Sequence, residues 1–173
     1  MLTLHTKLER ADTVHGELLL PYDQREKCRL RALLVSGEEV ALFTARGSVL
    51  RDGDLMTGAD PRVIRIVAAP EAVYVIHCDT PSISARCAFH LGNRHTQVQI
   101  GDGFLRIRVD PVLKEMVEGL GARVEHQWAA FEPEAGAYGG AHAGGGHSHG
   151  ADSLLAPIPL RQKIHRPGDS PSA

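Results

Sequence analysis

Two dipeptides limit what this chain can fold into. Thr80-Pro81 and Asp110-Pro111 each join a favoured helix N-cap to a proline at the first helical position, where the missing N–H costs nothing. An amphipathic run follows each. Ile83, Cys87, His90 and Leu91 share a face at i, i+4, i+7 and i+8, and Leu113, Met116, Val117 and Leu120 share one at i, i+3, i+4 and i+7. Gly92 and Gly121 then offer the left-handed residue that ends a helix. Strand-like runs surround both helices: EAVYVIHCD (71–79), VQI (98–100), FLRIRVD (104–110) and RVEHQWAAF (123–131). In FLRIRVD, Leu105, Ile107 and Val109 alternate with Arg106 and Arg108, as in a strand with one wet face. The order β-α-β-β-α-β is that of the ferredoxin-like split βαβ. Such a sheet with two helices on one face buries a core in about 60 residues, which assigns 70–134 to one domain.

The preceding residues, 1–69, read as a separate all-β unit. CRLRALLV (28–35), EEVALFTA (38–45) and PRVIRIVAA (61–69) are rich in aliphatic and β-branched residues, and turn formers separate them. Short strands at this spacing predict a small barrel or sandwich. The whole is therefore α+β, in two domains. His5 and His15 stand alone in the first and read as surface residues.

From Ala135 onward the character changes. AGAYGGAHAGGGHSHG loses too much backbone entropy on folding to order by itself, so 135–173 reads as a flexible tail. Yet it carries His142, His147 and His149. His- and Gly-rich tracts read as metal binding on composition, and imidazole suits Ni, Zn, Cu and Co. His147 and His149 flank one serine, so in an extended chain they project the same way. Ligands on a flexible segment make a labile site, which suits transfer better than storage or catalysis.

Several classes are disfavoured. A net charge of −2 lacks the basic excess of a nucleic-acid footprint, and the sheet aromatics Tyr74, Phe104, Trp128 and Phe131 do not form an RNA-stacking pattern. No apolar run approaches the ~20 residues that span a bilayer, and the opening residues do not read as a secretory signal. The cysteines, Cys28, Cys78 and Cys87, form no C-x-x-C pair, which fits a reducing cytoplasm. Cys78 and Cys87 read as small buried hydrophobes. There is no nucleophile–base pair and no G-x-x-x-x-G-K-[ST] phosphate loop, so the chain does not read as an enzyme.

His95 stands just past the first predicted helix, in HLGNRHTQVQI. One imidazole holds a transition metal poorly. A two-fold axis close by would place His95 opposite its own copy. His90, on the apolar helix face, reads as core; His77 and His126, in strands, read as structural or exposed.

The run Gly92-Asn93-Arg94-His95 after a short helix resembles the signature of the urease accessory protein UreE family. Phe131-Glu132-Pro133-Glu134-Ala135-Gly136-Ala137-Tyr138 resembles the join between that family's second domain and its histidine tail. The resemblance covers most of the chain. It implies a cytoplasmic nickel metallochaperone, with a peptide-binding-like first domain and a homodimer formed through the second. It implies Ni2+ bound by His95 with its symmetry mate and supplemented by tail histidines, with Zn2+ or Cu2+ as competitors. Delivery would run through the accessory GTPase UreG to the urease apoprotein complex. Some relatives carry histidines where this chain has Arg108-Val109-Asp110-Pro111, so those sites are not carried over; His165 is a further tail candidate. The competing reading is a general Zn, Cu or Ni buffer in which the tail alone is active and dimer geometry has no role.

Overall fold

The computed structural model describes residues 1–135. In the first domain, β1 (Leu2–Leu4), β4 (Arg29–Leu33) and β5 (Glu39–Phe43) form one sheet, ordered β1-β5-β4. β2 (Thr6–Leu8), β3 (Gly16–Leu20), β6 (Leu55–Thr57) and β7 (Ile64–Ala68) form another, ordered β2-β6-β7-β3. Leu2, Leu4, Val40 and Leu42 from the first sheet share one core with Leu18, Leu20, Met56, Ile64 and Ile66 from the second. Two sheets over a common core make a sandwich, and no closed barrel forms among the described residues. The pairing is mixed: β1 runs parallel to β5 and β3 parallel to β7. A single turn of helix, α1 (Tyr22–Arg25), follows β3.

The second unit runs β8 (Pro70–His77), α2 (Pro81–Gly92), β9 (Gln99–Gly101), β10 (Phe104–Arg108), α3 (Pro111–Gly119) and β11 (Arg123–Ala130). Its sheet is antiparallel in the order β11-β8-β10-β9, the ferredoxin-like arrangement expected from the element order. Both predicted caps form. The Thr80 hydroxyl accepts from the Ile83 N–H, and the Asp110 carboxylate from those of Val112 and Leu113. Cys87, Leu91, Leu113 and Val117 from the helices close over Ile76, Leu105 and Ile107 from the sheet.

Two expectations need correction. His90 is half-buried rather than core, with its ring edge-on to the exposed Phe89 at 5.4 Å. The opposite face of the sheet is not simply wet. Val73 and Val75 on β8 point there and demand cover, which comes from Phe131 and from Tyr22 and Val49 of the first domain. Arg106, on the same side, is drawn over the Phe104 ring at 5.1 Å and donates to the Ala130 carbonyl at 2.9 Å. Burial pulls its pKa below the ordinary arginine value.

Candidate metal site

His95 owes its place to the end of α2. Gly92 was the expected left-handed residue, yet it remains helical and Asn93 caps in the right-handed region. The left-handed residue is His95 itself, at φ 55°. The reason lies in packing. Leu91 is fully buried, so the helix must run on far enough to seat it. The Thr96 N–H then reaches back to the Leu91 carbonyl at 3.2 Å, and the His95 N–H to that of Gly92 at 2.9 Å. These are the two bonds of a Schellman end, whose geometry puts the left-handed residue four past the residue whose carbonyl is captured. The left-handed residue thus falls four past Leu91, whose burial the structure reveals.

The imidazole is thereby carried on a sharp, hydrogen-bonded bend, and His95 is exposed. It lines an open groove of about 520 Å³ with Arg94, Thr96, Gln97, Arg108, Val109, Asp110 and Leu113. Three of these, Arg108, Val109 and Asp110, are the positions singled out above as histidine-bearing in some relatives. Three of the polar side chains here are already engaged. Arg94 Nη1 donates to the His90 carbonyl at 3.0 Å, Arg108 Nη2 to Gln97 Oε1 at 2.9 Å, and Gln97 Nε2 to Glu26 Oε2 at 3.2 Å. Among the described residues none of the side-chain bonds of this loop engages the His95 ring, which is left available as a donor.

Among the described residues His95 is the only histidine that lines this groove. Among the described residues no group of three or more His, Cys, Asp and Glu side chains is placed to hold a metal ion. Asp110, the nearest carboxylate in the groove, spends Oδ1 on two backbone N–H groups. The other histidines lie elsewhere. His77 Nε2 sits 3.4 Å from Glu125, His126 stacks edge-on to Tyr74 at 5.9 Å, and His15 Nδ1 accepts from the Val63 N–H at 3.0 Å. The thiols are poor candidates. Burial pushes Cys78 up and Cys87 to about 11, so both stay protonated, and only a thiolate is a good ligand. The predicted tail ligands His142, His147 and His149, and His165, lie outside the described residues.

Sequence reasoning missed the polar junction beside this loop. Glu132 is gripped by Arg25 and Arg51, partners more than 80 positions away in sequence. The FEPE motif was the one available signal. The neighbouring backbone is tied to the His95 loop, because the Glu134 N–H donates to the Val98 carbonyl at 2.8 Å.

Comparison with known proteins accounts for both halves of the chain. Residues 2–69 match the model of the UreE urease accessory protein N-terminal domain, and residues 71–154 match that of its C-terminal domain. The chain belongs to the UreE family. It is 66% identical over 172 residues to the urease accessory protein UreE of Janthinobacterium sp., covering 98% of each chain. It is 60% identical over 178 residues to that of Nitrosospira multiformis, covering 99% of each. The UreE of Burkholderia ambifaria is 51% identical over 139 residues, which spans 80% of this chain and 66% of that one. UreE proteins are thus named as accessories to urease, distinct from the urease itself. Among the described residues no helix is long and apolar enough to cross a membrane.

Proposed function

We propose that this chain takes part in urease maturation as a nickel carrier, binding Ni2+ between two copies and releasing it to the urease assembly. The observation that carries the reading is His95: an exposed imidazole on a hydrogen-bonded bend, whose ring makes no hydrogen bond among the described residues, in a groove that offers no group of ligands among them. A lone donor of this kind is useful when a second comes from outside. A two-fold axis through the second domain would bring the partner subunit's imidazole opposite it. The ion is cargo, and an incomplete protein ligand set favours its release.

The tail fits the same scheme. Glu134 is hydrogen-bonded to Val98, which lies close to His95 in sequence, so the tail begins beside the metal loop. From residue 134 to His142 an extended chain reaches at most about 26 Å. His142, His147 and His149 would supplement the shared pair or gather the ion first, with Zn2+ and Cu2+ as competitors. Imidazole binds only as the neutral base, so affinity falls as pH drops through the ordinary histidine range of about 6 to 7. The receiving partners in this scheme are the accessory GTPase UreG and the urease apoprotein complex, in the cytoplasm.

Calorimetric titration with nickel near pH 7.5 tests the reading, using the wild type and His95→Ala. Tight binding is expected to saturate at one ion per two chains and to vanish in the variant. A variant that binds as the wild type does overturns the shared site and leaves the tail as a general metal buffer.

A further inference from the structure

Arg25 is buried completely, at 0% exposure, which is costly for a guanidinium unless it is paired and hydrogen-bonded. It sits at the end of α1, in the first domain. Its Nη1 donates to the Leu50 carbonyl at 3.1 Å and to the Glu132 carboxylate, and its Nη2 to the Phe131 carbonyl. Arg51 Nη1 adds a bond to Glu132 Oε2 at 3.2 Å and one to the Pro133 carbonyl at 2.8 Å. The Asp52 N–H completes the set, 3.3 Å from Glu132 Oε1. One carboxylate thus collects donors from three residues of the first domain.

The backbone around Glu132 faces the other way. Its own N–H donates to Gln99 Oε1 at 3.0 Å, an oxygen that also accepts from Arg106 Nη1 at 3.2 Å. The Glu134 N–H holds the Val98 carbonyl at 2.8 Å. Gln97, one residue closer to His95, reaches Glu26 of the first domain at 3.2 Å. The stretch Thr96–Gln99 is therefore tethered on its far side by the Glu132 segment, as its near side is tethered by the helix end.

We propose that Glu132, clamped by Arg25 and Arg51, is a positioning residue for His95: it holds in place the segment that bonds the Val98 carbonyl and the Gln99 side chain, and thereby the direction in which the imidazole projects. The proposal deepens the carrier reading and rests on it for its meaning, though not for its test. His95 holds a left-handed backbone that a histidine adopts at a cost, so the bend persists only while both of its flanks are held. A residue that orients a ligand from outside the ligand set typically changes metal affinity by about tenfold or more.

The experiment compares full-length wild type, Glu132→Gln and Glu132→Ala in two measurements. The first needs no metal. Histidine-selective NMR of the imidazoles and amide exchange at residues 95–99 are recorded for each protein. Glu132→Ala is expected to shift or broaden the His95 ring signals and speed exchange at these amides, leaving the His77 and His126 rings unchanged. Glu132→Gln, which keeps an acceptor oxygen, should fall between. Unchanged His95 signals, or equal change at all three rings, overturn the proposal. The second is nickel calorimetry, where Glu132→Ala is expected to weaken the shared ion about tenfold and to have no further effect in a His95→Ala background. A nickel isotherm identical to wild type, in a variant whose His95 ring has moved, also overturns it. If His95→Ala alone binds nickel as the wild type does, the carrier reading fails, and the NMR comparison still decides the positioning role.

Discussion

His95 and Gly121 stand at the same position of two equivalent helix ends. Past α3, the Ala122 N–H reaches the Val117 carbonyl at 3.1 Å and the Gly121 N–H that of Glu118 at 3.0 Å, the pair of bonds found at the end of α2. In both helices the captured carbonyl belongs to a fully buried apolar residue, Val117 or Leu91. Both ends then need a left-handed residue, φ 97° at Gly121 and 55° at His95. Glycine takes that conformation without penalty, whereas a side chain costs about 1–2 kcal/mol. One end is built for stability, and the other retains a histidine in spite of it.

His95→Gly should therefore stabilise the protein while removing the proposed nickel ligand. Relief of the left-handed penalty, less the added freedom of glycine in the unfolded chain, leaves about 0.5–1 kcal/mol. That raises the thermal midpoint by about 1–4 °C. The reverse change, Gly121→Ala, should cost about 1–2 kcal/mol, because a Cβ there meets only Ile83 Cδ1 at 3.7 Å and the loss is conformational. Differential scanning calorimetry of the metal-free proteins measures both. A destabilised His95→Gly would mean that the ring itself holds the bend together.

These two ends also mark how far the sequence could be read. Thr80, Asp110 and Gly121 act on their own chain neighbours, so their roles were legible, and with them the βαββαβ order. Gly92 misled because the stop position is set by the burial of Leu91, which is a tertiary fact. In the first domain, strands as short as Leu2–Leu4 and Thr6–Leu8 carry too few residues for a period to emerge. Their partners, β5 for the first and β6 for the second, lie far along the chain. His95 was legible as a residue of interest from its motif, but its left-handed backbone was not. The pairing of Glu132 with Arg25 and Arg51 was not legible, since nothing local to Arg25 announces a carboxylate in the second domain.

Asp110 offers a test that separates capping from metal chemistry. Its Oδ1 accepts from the Val112 and Leu113 N–H groups at 2.9 and 3.1 Å, while the residue lines the groove of His95. Asp110→Ala should cost about 1 kcal/mol of stability by leaving those donors free, and Asp110→Asn much less, since asparagine caps almost as well. Because Oδ1 is committed to α3 and one remaining oxygen makes a poor ligand set, neither change should alter the proposed nickel stoichiometry. Urea unfolding and calorimetry on the same samples check both halves. A lost ion in Asp110→Asn would make this carboxylate a ligand.

Cys87 should be the slowest thiol to react. It is fully buried between α2 and the sheet, and burial pushes its pKa to about 11, so little thiolate forms at pH 8. Cys28 and Cys78 are only half-buried. In native protein treated with iodoacetamide, peptide mass spectrometry should find Cys87 unlabelled long after Cys28, and labelled only when urea opens the fold. Equal labelling of all three thiols in native buffer would show that the second domain opens readily.

The first domain should lose stability in acid through a single arginine. Arg62 Nη1 and Nη2 grip the two oxygens of Glu38 at 2.8 and 2.9 Å, and its Nε reaches Asp60 at 3.1 Å. This holds the Glu38 carboxyl below its ordinary 4.5, chiefly through the side-chain hydrogen bonds of Arg62. Asp60 falls below its ordinary 3.8, chiefly through the Arg62 backbone N–H. A carboxylate whose folded pKa is depressed stabilises the fold above its unfolded pKa and loses that contribution as pH falls through the folded value. The urea midpoint of wild type should therefore exceed that of Arg62→Gln by a constant margin above about pH 5, where both carboxylates are ionised folded or unfolded. The margin should close as pH drops below the ordinary carboxylate values. The variant keeps the backbone N–H that governs Asp60, so it should lose the Glu38 part of the slope and retain most of the Asp60 part. Added salt should shrink the margin at neutral pH, because these groups face solvent and are screened. A margin that stays constant down to pH 2.5 would assign the loss in Arg62→Gln to packing rather than to charge.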